Sequence, residues 1–141
     1  MRPPFKFSAK TRVGFSDTDA QGVVYYGRYM PYFDLARVEY LRSLGLLGDG
    51  NERRQFAMRA MKVEYHAPAR FDDAIEIDVR VSRIGTTSVT TEFAAYLESE
   101  VLAVTAEQTA VLVDLDTRTT CPVPDSFRER IRAFEGDDLD G

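Results

Sequence analysis

At 141 residues the chain fills one domain and is long enough to bury a core without staples. Its 44% hydrophobic and 29% charged residues are those of a soluble globular protein, and a net charge of −5 leaves no global field to draw nucleic acid or an anionic membrane. The single cysteine, Cys121, excludes an internal disulfide, and with one histidine the chain lacks the usual soft ligands of zinc, so a cytoplasmic protein is expected.

The opening MRPPFKFSAK has no apolar h-region, and no apolar run is long enough to span a bilayer, so neither secretion nor membrane insertion is expected. From Phe5 to Phe15 the apolar positions alternate with Lys6, Ser8, Lys10 and Arg12, the period of a half-buried strand. Ser16 to Gly22 then concentrates Ser, Asp, Thr and Gly, which favour turns. On turn chemistry alone Asp17 and Asp19 stand equal.

A helix can begin near Arg28 to Pro31, because proline is tolerated only in the first turn. Tyr29, Phe33, Ala36 and Tyr40 recur at spacings of three and four, and Gly45 offers a C-terminal stop. At about 17 residues and 1.5 Å per residue, this helix spans about 25 Å. Leu46 to Gln55 reads as a Gly-rich, charged loop, with Arg53 and Arg54 as solvated charges.

Alternation resumes from Phe56 to His66 and ends at Pro68; it places His66 on a polar strand face, away from chemistry. In Ala74 to Gly85, Ile75, Ile77, Val79 and Val81 point inward, with Glu76, Asp78, Arg80 and Ser82 outward. Thr87 to Glu98 and Val101 to Leu115 continue the pattern across short turns, so antiparallel hairpins are expected. Asp72 and Asp73 read as turn formers. Residues 121–141 carry a short helix-compatible run, SFRERIRAF, and an acidic tail expected to fray.

One strand, a long helix, four strands and a short helix make a single α+β domain over residues 1–141, the helix lying on a five-stranded antiparallel sheet whose outer face and edge stay open for oligomer formation. G-x-S-x-G, G-x-G-x-x-G and P-loop motifs are absent. What remains is a pair of carboxylates running directly into a helix N-terminus, whose unpaired N–H groups polarise a carbonyl oxygen placed there. A neighbouring carboxylate can then attack that carbonyl or deprotonate a water.

The run FSDTDAQGVVYYGRYMPYFDLARVEYLR resembles the signature of hotdog-fold acyl-CoA thioesterases, in the branch of the 4-hydroxybenzoyl-CoA and Tol-Pal-associated enzymes; VEYHAPARFDDAIEI and RIGTTSV add to the match. The resemblance implies an antiparallel five-stranded sheet wrapped around one long central helix. It implies Asp19 as nucleophile or general base and the Tyr26 amide as carbonyl donor. It further implies substrate contacts along Gly22, Val23, Tyr25 and Tyr29, and coenzyme A phosphates near Arg83, Gly85 and Thr86, with Arg53 or Arg54 behind them. No metal or organic cofactor is expected, and a homodimer or homotetramer with sites at the subunit interface is. Tyr26 stands where the Tol-Pal branch carries histidine and Arg28 where many relatives carry asparagine, which leaves a larger apolar wall suited to an aromatic or medium-chain acyl group. Other readings place the carboxylate on the helix, at Asp34 or Glu39, or make the chain a binding module without turnover.

Overall fold

A computed structural model describes residues 2–48 and 53–140. The elements are β1 (Phe7–Arg12), α1 (Tyr29–Ser43), β2 (Arg54–Tyr65), β3 (Ala74–Ile84), β4 (Ser88–Leu97), β5 (Leu102–Asp114), β6 (Thr119–Thr120) and α2 (Asp125–Glu135). Short 3₁₀ turns at Phe15–Asp17, Tyr26–Arg28 and Gly136–Asp138 complete them. The sheet runs β1-β3-β4-β5-β2, every pairing antiparallel. The α+β class and the sheet curled about one central helix are therefore as expected.

The sheet has six strands rather than five. β6 is two residues long, too short to show a period, and it pairs with Val113 and Asp114 on the side of β5 that β4 leaves at Val111. The loop expected over Leu46 to Gln55 is also shorter than read: Arg54 and Gln55 already belong to β2, Arg53 is ion-paired with Asp116, and residues 49–52 lie outside the described residues.

α1 begins with Pro31 in its first turn and ends in a Schellman motif. Leu46 N–H donates to Leu41 O at 2.9 Å and Gly45 N–H to Arg42 O at 3.1 Å. Gly45 takes the φ of +70° that this stop requires. The helix buries Tyr29, Tyr32, Phe33, Ala36 and Tyr40. Phe33 meets Phe93 of β4 at a ring separation of 4.9 Å, and Tyr40 meets Phe7 of β1 edge-on at 5.7 Å. Truncating a ring this buried costs about 3–5 kcal/mol.

On β3 the inward set Ile75, Ile77, Val79 and Val81 is buried as the alternation requires. Asp78 faces the other way yet is also buried, because the N-terminal arm folds over it. The Arg2 guanidinium bonds Asp78 at 3.2 Å, Glu76 at 2.8 Å and Glu100 at 2.7 Å, and lies 3.7 Å from the centre of the Tyr96 ring. Burial raises the Asp78 carboxyl, opposed by the Arg2 hydrogen bond.

The tail is not frayed. β1 pairs with β3 only as far as Val79, so residues 80–84 present an open edge, and the chain end fills it. Asp140 N–H donates to Ser82 O and Ile84 N–H to Asp140 O, both at 2.9 Å, while Leu139 is buried. Glu135, the last residue of α2, anchors this clasp: Tyr40 Oη donates to its Oε2 at 2.5 Å and Val81 N–H at 3.2 Å.

Burial pushes the Glu135 carboxyl above its ordinary 4.5, against the opposing pull of Tyr40. The folded state thus holds the proton more tightly than the unfolded chain. The stability this confers is fully present below the unfolded value and is lost as pH rises through the folded value. Glu135→Gln keeps an acceptor for Tyr40 and carries no charge. Its melting temperature is expected to stay level from mildly acidic to neutral pH, where that of the wild-type chain declines; circular dichroism melts across that range measure the difference.

Candidate active site

Between β1 and α1 the chain folds into a compact loop organised by Asp17. Its Oδ2 accepts from Tyr32 Oη at 2.6 Å and Gly14 N–H at 3.0 Å, and its Oδ1 accepts from Arg28 Nη2 at 2.9 Å and Nε at 3.1 Å. The Tyr32 hydrogen bond, with Arg28 and the Gly14 amide behind it, holds the Asp17 carboxyl below the usual carboxylate range despite burial. Burial and the same Asp17 contact raise the Tyr32 hydroxyl well above its ordinary value. Both oxygens of Asp17 are thus committed to structure.

Asp19 differs. The segment from Thr18 to Val24 closes a tight hairpin, with Gly22 N–H on Asp19 O at 3.0 Å and Gly22 at φ +79°. Among the described residues the Asp19 side chain accepts one hydrogen bond, from Gln21 N–H to Oδ1 at 2.8 Å, and its Oδ2 is uncommitted. Val24 N–H on Ala69 O, at 2.8 Å, and a bridge from Val23 to Arg70 pin the hairpin against the loop that follows β2.

The chain then enters the 3₁₀ turn Tyr26–Arg28, which leads straight into α1. The amides of Tyr26 and Gly27 open that turn and donate to no backbone carbonyl among the described residues. Tyr65 Oη donates to Tyr26 O at 3.0 Å, tying the turn to the end of β2.

Asp19, Val23, Tyr26, Tyr29, Tyr65 and His66 line one cleft of about 360 Å³, with Pro68 at its edge. Four residues singled out in the sequence, Asp19, Val23, Tyr26 and Tyr29, thereby come together. Gly22 forms the turn beside them, and Tyr25 packs on Tyr26 at a ring separation of 4.5 Å from outside the cleft. Asp34 and Glu39 do not line it; they pair with Arg37 and Arg42 on the exposed side of α1.

Arg83, Gly85 and Thr86 lie elsewhere. β3 starts beside the site loop, where Val13 N–H meets Asp73 O, and ends at Ile84, about 33 Å away at 3.3 Å per residue. There the carbonyls of Gly85 and Thr86 accept from Arg128 Nη2 at 2.6 Å and 3.0 Å. Within one chain this turn and the Asp19 cleft do not meet.

The residues that the pattern missed are Tyr65 and His66. Period-two alternation carried through His66 puts it on the outer face of a strand, but β2 ends at Tyr65, and the amides of His66 and Ala67 both donate to Ala103 O. The proline at position 68 is the signal that the strand stops early enough for His66 to turn into the cleft. Its Nε2 lies 2.9 Å from Thr105 Oγ1, which fixes the ring. Among the described residues no group of three His, Cys, Asp or Glu side chains could hold a metal ion, and no helix is long and apolar enough to cross a membrane.

Residues 13–131 match the family described as the Thioesterase-like superfamily. Over 111 residues the chain is 40% identical to the acyl-CoA thioester hydrolase YbgC of Escherichia coli O6:H1, covering 77% of this chain and 82% of that protein. A putative esterase of Aquifex aeolicus is 30% identical over 101 residues, covering 69% of this chain and 77% of the relative. Among solved structures, a probable thioesterase from Bartonella henselae superposes with a TM-score of 0.76 at 31% identity, covering 84% of this chain and 98% of that one. The family match takes in the Asp19 hairpin, α1 and the whole of the long strands, and the chain belongs to the thioesterase-like superfamily.

Proposed function

We propose that the chain is a thioester hydrolase that cleaves acyl-CoA in the Asp19 cleft, releasing a free acid and coenzyme A. The observation that carries this is the division between the two aspartates: Asp17 spends both oxygens on structure, while Asp19, among the described residues, keeps one uncommitted in the cleft it lines with Tyr26, whose amide donates to no backbone carbonyl there. A thioester carbonyl seated on the Tyr26 amide develops negative charge on its oxygen in the transition state, where a fixed N–H donor stabilises it most. Asp19 either attacks the carbonyl carbon, expelling the thiolate and leaving an anhydride that water hydrolyses, or takes a proton from the water that attacks. Both routes end in the same products and need no metal or organic cofactor.

The aromatic wall of Tyr26, Tyr29 and Tyr65 supports an aromatic or short to medium-chain acyl group. A homodimer or homotetramer accords with β2, whose outer edge is unpaired among the described residues and exposes Ala57, Met58, Arg59 and Ala60, since such an edge is a template for a further strand. The Arg83–Thr86 turn contributes to coenzyme A binding only if it reaches the cleft of another copy. A cytoplasmic setting agrees with the free thiol of Cys121.

The test is thiol release from a panel of aromatic, short-chain and medium-chain acyl-CoAs. Turnover of at least one group supports the reading, and acyl-CoA binding without any thiol release overturns it. His66 forms wall rather than catalytic machinery. His66→Ala is therefore expected to lower kcat/KM by less than about tenfold, far short of the loss from removing a general base; steady-state kinetics on the best substrate give the comparison.

A further inference from the structure

Arg28 N–H donates to Tyr25 O at 2.8 Å, which closes a four-residue turn with Tyr26 and Gly27 at its centre. Such a turn has two forms that differ by a flip of the central peptide, here Tyr26–Gly27. Type I has helical angles at both central residues, while type II needs a positive φ at the second, which glycine adopts without steric cost. The segment is a 3₁₀ turn and Gly27 is not among the glycines at positive φ, so the form is type I. Its sequence, with glycine at the second central position, also suits type II. A contact from outside the turn therefore decides between them.

The choice matters to the site. In type I the peptides of the turn follow the helix, amides toward its N-terminus and carbonyls away, so Tyr26 N–H and Gly27 N–H face the same side. A flip reverses the central peptide alone: Gly27 N–H turns away, and Tyr26 O swings to the side of the Tyr26 amide. An oxygen there repels the negative charge that a thioester carbonyl gains in the transition state.

The local ladder leaves Tyr26 O to another partner. Tyr29 N–H, which would continue the 3₁₀ pattern onto Tyr26 O, donates to Gly27 O instead. Tyr26 O accepts from Tyr65 Oη, 39 residues away in sequence, at 3.0 Å. The backbone of Tyr65 is in register with the buried Val104 of β5, and its ring meets Tyr29 of α1 at a separation of 5.8 Å. The sheet on one side and α1 on the other thus fix where the hydroxyl lies.

We propose that Tyr65 is a positioning residue for thioester hydrolysis: its hydroxyl latches the Tyr26–Gly27 peptide in the type I form, which turns amides rather than a carbonyl toward the substrate oxygen. This rests on the reading that the thioester carbonyl sits on the Tyr26 amide.

The test is a double-mutant cycle on thiol release with Tyr65→Phe and Gly27→Ala. Phenylalanine keeps the ring and removes only the donor, while alanine at position 27 makes the type II form costly without any latch. A Cβ at Gly27 would lie 3.1 Å from Tyr25 Cε1, the edge of an exposed ring that can yield. Tyr65→Phe alone is expected to lower kcat by about tenfold with KM within about twofold, as fits one hydrogen bond felt in the transition state. In the Gly27→Ala background, whatever that substitution itself costs, the same change is expected to lower kcat by less than about threefold. An equal loss in both backgrounds overturns the latch, since a hydroxyl that touched the substrate or only steadied the fold would act alike in each. A Tyr65→Phe enzyme with wild-type kcat, or a loss confined to KM, overturns it as well. Failure of the wild-type protein to release thiol from any acyl-CoA is a separate result, which refutes the thioesterase reading and the latch with it.

Discussion

Asp19→Asn is expected to lower kcat for thiol release by about two to four orders of magnitude, the range that a positioned acid or base contributes. Asparagine preserves the one contact the side chain makes, since its carbonyl oxygen still accepts from Gln21 N–H. The hairpin closed by Gly22 and the pins to Ala69 and Arg70 are backbone interactions and stay in place. Fold, oligomeric state and melting temperature should therefore match the wild-type protein while turnover is lost. Initial rates on several acyl-CoAs, with a thermal melt beside them, give both halves of the result.

Asp17→Ala is expected to have the opposite balance. It strands Arg28, the Tyr32 hydroxyl and the Gly14 amide together, and removing the acceptor of several charge-assisted hydrogen bonds costs about 3 kcal/mol. For a chain of this length that corresponds to a fall in melting temperature of about 10 °C. Because Tyr32 and Arg28 hold the Asp17 carboxyl below its ordinary value, its contribution is present above the unfolded pKa and is lost as pH falls through the folded one. The melting deficit of the variant should accordingly shrink in acid. A loss of rate is expected only in so far as the loop that carries Asp19 loosens.

The parts of the fold legible in the sequence were those where one physical rule acts alone. The alternation of Ile75, Ile77, Val79 and Val81 marks a strand with one buried face, and the Tyr29, Phe33, Ala36, Tyr40 spacing with Pro31 and Gly45 at its ends bounds α1 closely. Where distant segments meet, local pattern is silent. Asp78 reads as a solvent-facing residue until Arg2 covers it, and the tail reads as frayed until the edge of β3 beyond Val79 gives it a partner. At the site, turn chemistry finds the Asp17–Asp19 segment and leaves the two residues level. What separates them is Tyr32, fifteen residues on and one face of a helix away, whose hydroxyl lands on Asp17. His66 was hidden for a similar reason, since its direction depends on where β2 stops rather than on its own neighbours.

The most direct test of the central claim sets Asp19→Asn and Asp17→Asn side by side in a thiol-release assay, at a temperature where both are folded. Near-complete loss of kcat is expected for the first and a rate within about tenfold of wild type for the second. An active Asp19→Asn enzyme, or a greater loss from Asp17→Asn, would contradict it.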